Sequence, residues 1–191
     1  MTLPRRQLFA LLLAPLAAAP ARRRIPPGDE SAMDPSFAVF WAKLKKAAAQ
    51  RDRAALRALS VPDLEIDPAD LPELDRALAL GAGRFDKGFS FPYFVAKFPE
   101  DVDPYEHAVV LNPKAVLRSK PDAASAPVAP LDHDIVHIAA WKPNAQWQQA
   151  RRLDGVTGYV NVADIRTCGH HHGYCEKRAG AWKLIAFDQG D

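Results

Sequence analysis

The sequence predicts an α+β protein: a helical N-terminal region, then a small β-barrel, then a C-terminal β-hairpin. Three observations carry this. Between Val109 and Ile165, strand-length runs rich in β-branched or aromatic residues recur: Val109-Val110-Leu111, Ala115-Val116-Leu117, Ile135-Val136-His137-Ile138, Trp147-Gln148-Gln149-Ala150 and Gly158-Tyr159-Val160. Gly, Pro, Asp or Asn separates them, the pattern of a small barrel. Before this stretch the apolar residues recur at helical spacing. After it, past Gly180, Trp182, Leu184 and Ala186 alternate with Lys183, Ile185 and Phe187, as in a hairpin strand.

The helical region starts at Asp34-Pro35, a capping acid followed by proline at the first helical position. Phe37, Phe40, Trp41, Leu44 and Ala48 then share one face. Asp52 caps a shorter helix through Leu56 and Leu59, and Asp67-Pro68 opens a third with Leu71, Leu74 and Leu78, ending at Gly81. These stripes read as core. Phe85 to Phe98 holds six aromatics among Gly and Pro residues. It reads as irregular chain wrapped over a core, each ring burying about 150–250 Å².

Composition is that of an ordinary globular protein, with 48% apolar and 25% charged residues. Its 17 prolines predict long loops and short helices. Residues 1–21 read as a secretory signal: Arg5-Arg6, an apolar run from Leu8 to Leu16, then the small residues Ala17 to Ala21. That run is too short to span a bilayer. Arg5-Arg6-Gln7-Leu8-Phe9 resembles the twin-arginine export motif. The expected division is 1–21 signal peptide, 22–33 linker, 34–104 helical and aromatic-rich region, and 105–191 barrel with hairpin. A periplasmic or secreted protein follows, with no membrane anchor after cleavage. The chain has 25 basic and 23 acidic residues, and loss of Arg5 and Arg6 brings these to 23 each. That balance gives no electrostatic basis for nucleic-acid binding. Arg22-Arg23-Arg24 reads as a solvated tail.

The densest chemistry is Cys168-Gly169-His170-His171-His172-Gly173-Tyr174-Cys175. Export favours a disulfide between Cys168 and Cys175, the only two cysteines. Closing that loop is worth about 2.5 kcal/mol in the chain-entropy estimate. Thiolate and imidazole also suit zinc or copper, and in an extended loop His170 and His172 point to one side. Structural zinc sites draw ligands from two separate knuckles, whereas these share one hairpin tip, so an exposed, disulfide-closed tip is the expectation.

Leu117-Arg118-Ser119-Lys120-Pro121, the strand Val128 to Leu131, the Trp-led strand from Trp147 and Gly155-Val156-Thr157-Gly158-Tyr159-Val160 together resemble the bacterial SH3-like domain, over about a third of the chain. Lys120 stands where that pattern has Gly, and Trp141 to Ala145 lengthens the loop before the Trp-led strand. The resemblance implies an SH3-like barrel whose ligands meet aromatic loops and strand faces, here Trp141, Trp147 and Tyr159. The ending Gly180 to Phe187 and the start Phe37 to Trp41 are similar to exported bacterial proteins in which both termini form one unit.

SH3-like domains of exported bacterial proteins accompany cell-wall hydrolases, so catalytic motifs matter. No Gly-x-Ser-x-Gly elbow, His-Glu-x-x-His helix or Gly-rich phosphate loop occurs. Asp132-His133-Asp134 reads as a turn. The expectation is a non-catalytic binding module of the cell envelope with no cofactor, taking a peptide, a peptidoglycan fragment or an envelope protein. The alternatives are a wall hydrolase or its accessory factor, and a periplasmic metal-binding protein acting through the run His170-His171-His172.

Overall fold

The structure, a computed structural model, describes residues 21–189. The expected signal peptide, residues 1–21, lies outside them apart from its last residue. Its organisation is mixed α+β with two antiparallel sheets. Helices α1 (Pro35–Ala49), α2 (Arg53–Leu59) and α3 (Leu71–Ala79) come first. Asp34 caps α1 by accepting the amides of Ser36 and Phe37, and Asp52 caps α2 through the Ala55 amide. The Ser36 hydroxyl and these amides hold the Asp34 carboxyl down at about 2. Asp67 caps a 3-10 turn, Pro68–Asp70, that runs into α3. No helix among the described residues is long and apolar enough to cross a membrane.

The aromatic stretch is more regular than its composition suggests. It forms β1 (Gly83–Phe85), β2 (Gly88–Phe91) and the short helix α4 (Tyr93–Lys97). The strands β3 (His107–Val110), β4 (Val116–Arg118), β5 (Pro127–Pro130), β6 (Ile135–His137), β7 (Trp147–Arg152), β8 (Thr157–Asn161) and β9 (Ile165–Thr167) follow, and β10 (His172–Arg178) and β11 (Ala181–Asp188) end the chain.

The expected barrel is an open sheet of seven strands, ordered β5-β4-β8-β7-β6-β3-β9. Its two edges do not meet, for physical reasons. β5 carries Pro127 and Pro130, which remove amide donors. β9 is tied to α3 by the pair Arg166–Glu73, and the loop beyond it to the turn before α3 by His171–Asp70. The glycine motif has a separate reason at each position. Gly155 turns at φ +95°, and a Cβ on Gly158 would stand 2.8 Å from the Arg118 carbonyl oxygen of the neighbouring strand.

The hairpin β10–β11 does not extend this sheet. It completes a second one, β1-β2-β10-β11, with Cys175 opposite Phe89 and Gly173 opposite Phe91. A boundary at residue 104 therefore separates strands that share a sheet. The two ends of the chain form one unit around Phe37, whose ring stacks 3.8 Å from Phe89 and meets Trp182 edge-on at 4.9 Å. A bulge in the pairing, where Tyr174 faces Ala186 and Cys175 faces Leu184, breaks the alternation and buries Leu184 and Phe187 together.

Residues 22–24, expected as a solvated tail, are docked instead. Ile25 donates its amide to the His133 carbonyl, Ile135 donates to the Arg23 carbonyl, and Ile25 is buried beside Phe94, Val109 and Ile135. Each arginine has a carboxylate: Arg22 pairs with Asp134, Arg23 with Asp101, and Arg24 with Asp132. Asp134 is fully buried, so the turn read from the sequence is an anchor point.

Candidate functional site

Five large hydrophobic side chains are exposed among the described residues: Met33, Val39, Tyr105, Val128 and Trp141. Isolated ones need no explanation, but two that share a hollow do. Tyr105 is 67% and Trp141 39% exposed, and both line a hollow of about 330 Å³ with Glu106, Thr167 and His170. Tyr105 also lines a neighbouring hollow of about 420 Å³ with Phe98, Glu100, Cys168, His172 and Tyr174. The groove lies where β10 and the ends of β6 and β9 meet the segment between α4 and β3.

Each wall is locally fixed. The loop carrying Trp141 is held by the fully buried carboxamide of Gln148, which accepts from the Lys142 amide at 3.0 Å and donates to its carbonyl at 2.8 Å. Asn144 turns this loop with φ +64°. The Trp141 indole stands edge-on to the His170 ring at 5.6 Å. The Tyr105 amide donates to Asp103 Oδ1 at 2.8 Å. Tyr174 is fixed edge-on by His172 and Phe85, and burial raises its phenol pKa.

The three consecutive histidines diverge. His170 Nδ1 accepts the Thr167 amide at 3.2 Å, so the ring faces Trp141. His171 stacks on Phe187, with Nε2 3.3 Å from Asp70 Oδ1. His172 donates from Nδ1 to the His170 carbonyl, with Nε2 3.6 Å from Asp188. The alternative in which His170 and His172 aim at one ion is not met: each ring is drawn to its own partner. Among the described residues no three His, Cys, Asp or Glu groups converge on a metal position. Burial, then the nearby Arg166, lowers the His170 pKa, and burial lowers that of His107.

The expected disulfide is corrected as well. Cys168 and Cys175 are both free thiols. Cys175 faces inward among the residues around Phe89, while Cys168 packs on the cluster around Phe94. Burial pushes the Cys168 thiol up to about 12 and raises that of Cys175 further. A thiol held protonated in this way is a poor nucleophile.

Of the aromatic residues expected to bind, the groove takes only Trp141. Trp147 and Tyr159 lie on one face of β7–β8, opposite Asn161 and Gln149, and line neither hollow. The sequence reading missed Tyr105, Tyr174 and the Gln148 clamp. The Asp103-x-Tyr105 turn was the one local signal, since an Asp two residues ahead is a common amide acceptor. Compared with family models, curated proteins and solved structures, the chain matches none.

Proposed function

We propose that this chain is an exported, non-catalytic binding protein of the cell envelope, its seven-stranded sheet an SH3-like domain, recognising a peptide, a peptidoglycan fragment or an envelope protein. The observation that carries the reading is the shared hollow of Tyr105 and Trp141, two exposed aromatics held by backbone-directed hydrogen bonds. Rigid aromatic surface with few rotatable bonds loses little entropy on binding, which is why such residues dominate recognition surfaces. The distinct physical need for Gly155 and Gly158 supports the SH3-like likeness. The protonated Cys168 and the divergent histidines favour binding over chemistry.

The test is co-sedimentation of the mature protein with purified sacculi, together with assay of the supernatant for released muropeptides. Retention that falls when Tyr105 and Trp141 are both replaced by Ser supports the reading. Absence of retention removes the wall as ligand, and muropeptide release overturns the non-catalytic part.

A further inference from the structure

Resting on the reading that this groove binds, we infer that its ligand is a cationic peptide, with a Lys ammonium or a free amine seated between Tyr105 and Trp141. The charges of the groove point one way. Glu106 lines the first hollow, and its side chain is 64% exposed; among the described residues its one ion-pair partner is the His137 imidazole, at 3.5 Å. Glu100 lines the second. Asp188 stands behind His172. Among the described residues, no Lys or Arg lines either hollow.

Lys142, next to Trp141 in the chain, is exposed and lines neither hollow, and two further cations around the groove are committed elsewhere. Arg166, behind His170, is buried and donates to the His171 carbonyl and to Glu73. Arg23 is bound to both oxygens of Asp101. The imidazole facing the ligand, His170, accepts an amide at Nδ1, which is the neutral tautomer. An amine entering here meets the negative faces of an indole and a phenol, the indole being the strongest aromatic partner for a cation. Two carboxylates at the rims supply the counter-charge. An anion would meet uncompensated carboxylates, and a purely apolar ligand would leave them desolvated.

The experiment uses the mature chain and three fluorescein-labelled Gly/Ser hexapeptides, bearing two Lys, two Nε-acetyl-Lys or two Glu, read by anisotropy at low and moderate salt. The Lys peptide is expected to bind at least tenfold more tightly than its acetylated twin, and the Glu peptide not to bind. E100Q/E106Q is expected to weaken Lys-peptide binding at least fivefold and flatten its salt dependence. Trp141→Leu is expected to weaken it at either salt. Thermal melts check that the variants fold. Equal affinity for the Lys and acetyl-Lys peptides overturns the cationic assignment while leaving the groove a binding site. Lys-peptide binding indifferent to Trp141→Leu overturns it too, because the charge is then read elsewhere. If no peptide binds but sacculi are retained through Trp141, the cationic assignment fails alone. If neither binds, it fails together with the function proposed above.

Discussion

Arg22 grips both carboxylate oxygens of Asp134, Nε at 3.0 Å from Oδ1 and Nη2 at 2.5 Å from Oδ2, across 112 residues of chain. Asp134 is wholly buried while the Arg22 side chain is 29% exposed. The chain's first described arginine therefore satisfies a charge that the folded sheet cannot leave alone. Replacing Arg22 with Ala is expected to destabilise the protein by about 2–4 kcal/mol, somewhat less than for a pair buried on both sides. Urea denaturation measures it. A loss under about 0.5 kcal/mol would mean that water or Arg24 compensates Asp134 instead.

The two thiols give a second expectation. Native protein should react with Ellman's reagent only slowly, because burial holds both thiols protonated. Unfolded in guanidinium, it should release two equivalents. A denatured protein without free thiols would restore the disulfide between Cys168 and Cys175.

Acid should weaken the fold in a defined window. In the unfolded chain His170 and His107 titrate near 6.5, and in the fold burial lowers both. Between the lowered values and 6.5 the unfolded state holds more protons, so stability is complete above 6.5 and is lost as pH falls below it. The Asp34 carboxyl contributes only further down, as pH drops from its ordinary 3.8 toward about 2. Melting temperatures of wild type and H107Q/H170Q between pH 7 and 5 check this. The variant should show the shallower slope, and parallel slopes would remove the histidines as the cause.

The glycines of the Gly155-x-x-Gly158 turn should fail by different routes. Gly158→Ala places a methyl 2.8 Å from the Arg118 carbonyl oxygen and should cost about 1–3 kcal/mol through displaced backbone. Gly155→Ala meets open space but keeps φ +95°, and should cost about 1–2 kcal/mol from conformation alone. Asn at position 155 should recover much of that loss, whereas Asn at 158 should recover none. Comparable recovery at both sites would contradict the distinction.

Much of the scaffold was legible because it is local. Asp34 and Asp52 cap where an acid precedes a helical stripe, and Phe37, Phe40, Trp41 and Leu44 are buried as their spacing required. Short strands stood out between their turns. Long-range choices were hidden. Nothing near Tyr174 says that β10 will pair with β2 instead of prolonging the larger sheet, and nothing near Arg22 announces Asp134. Consecutive histidines read as one cluster until Asp70, Trp141 and Asp188, each from a different element, draw them apart. Trp141 could be singled out beside Pro and Asn, but its partner Tyr105 could not, since only the fold brings them to one hollow.

The central claim is that ligand enters at Trp141. It is tested most directly by the indole resonances of the ¹⁵N-labelled mature protein, one for each of the four tryptophans. The Trp141 resonance is assigned by its loss in Trp141→Phe. On titration with a muropeptide digest it should shift progressively, while that of Trp41, buried and bonded to Asp29, stays fixed. An unmoved Trp141 resonance, with shifts at Trp147 on the β7 face, would place recognition on the sheet and contradict the groove.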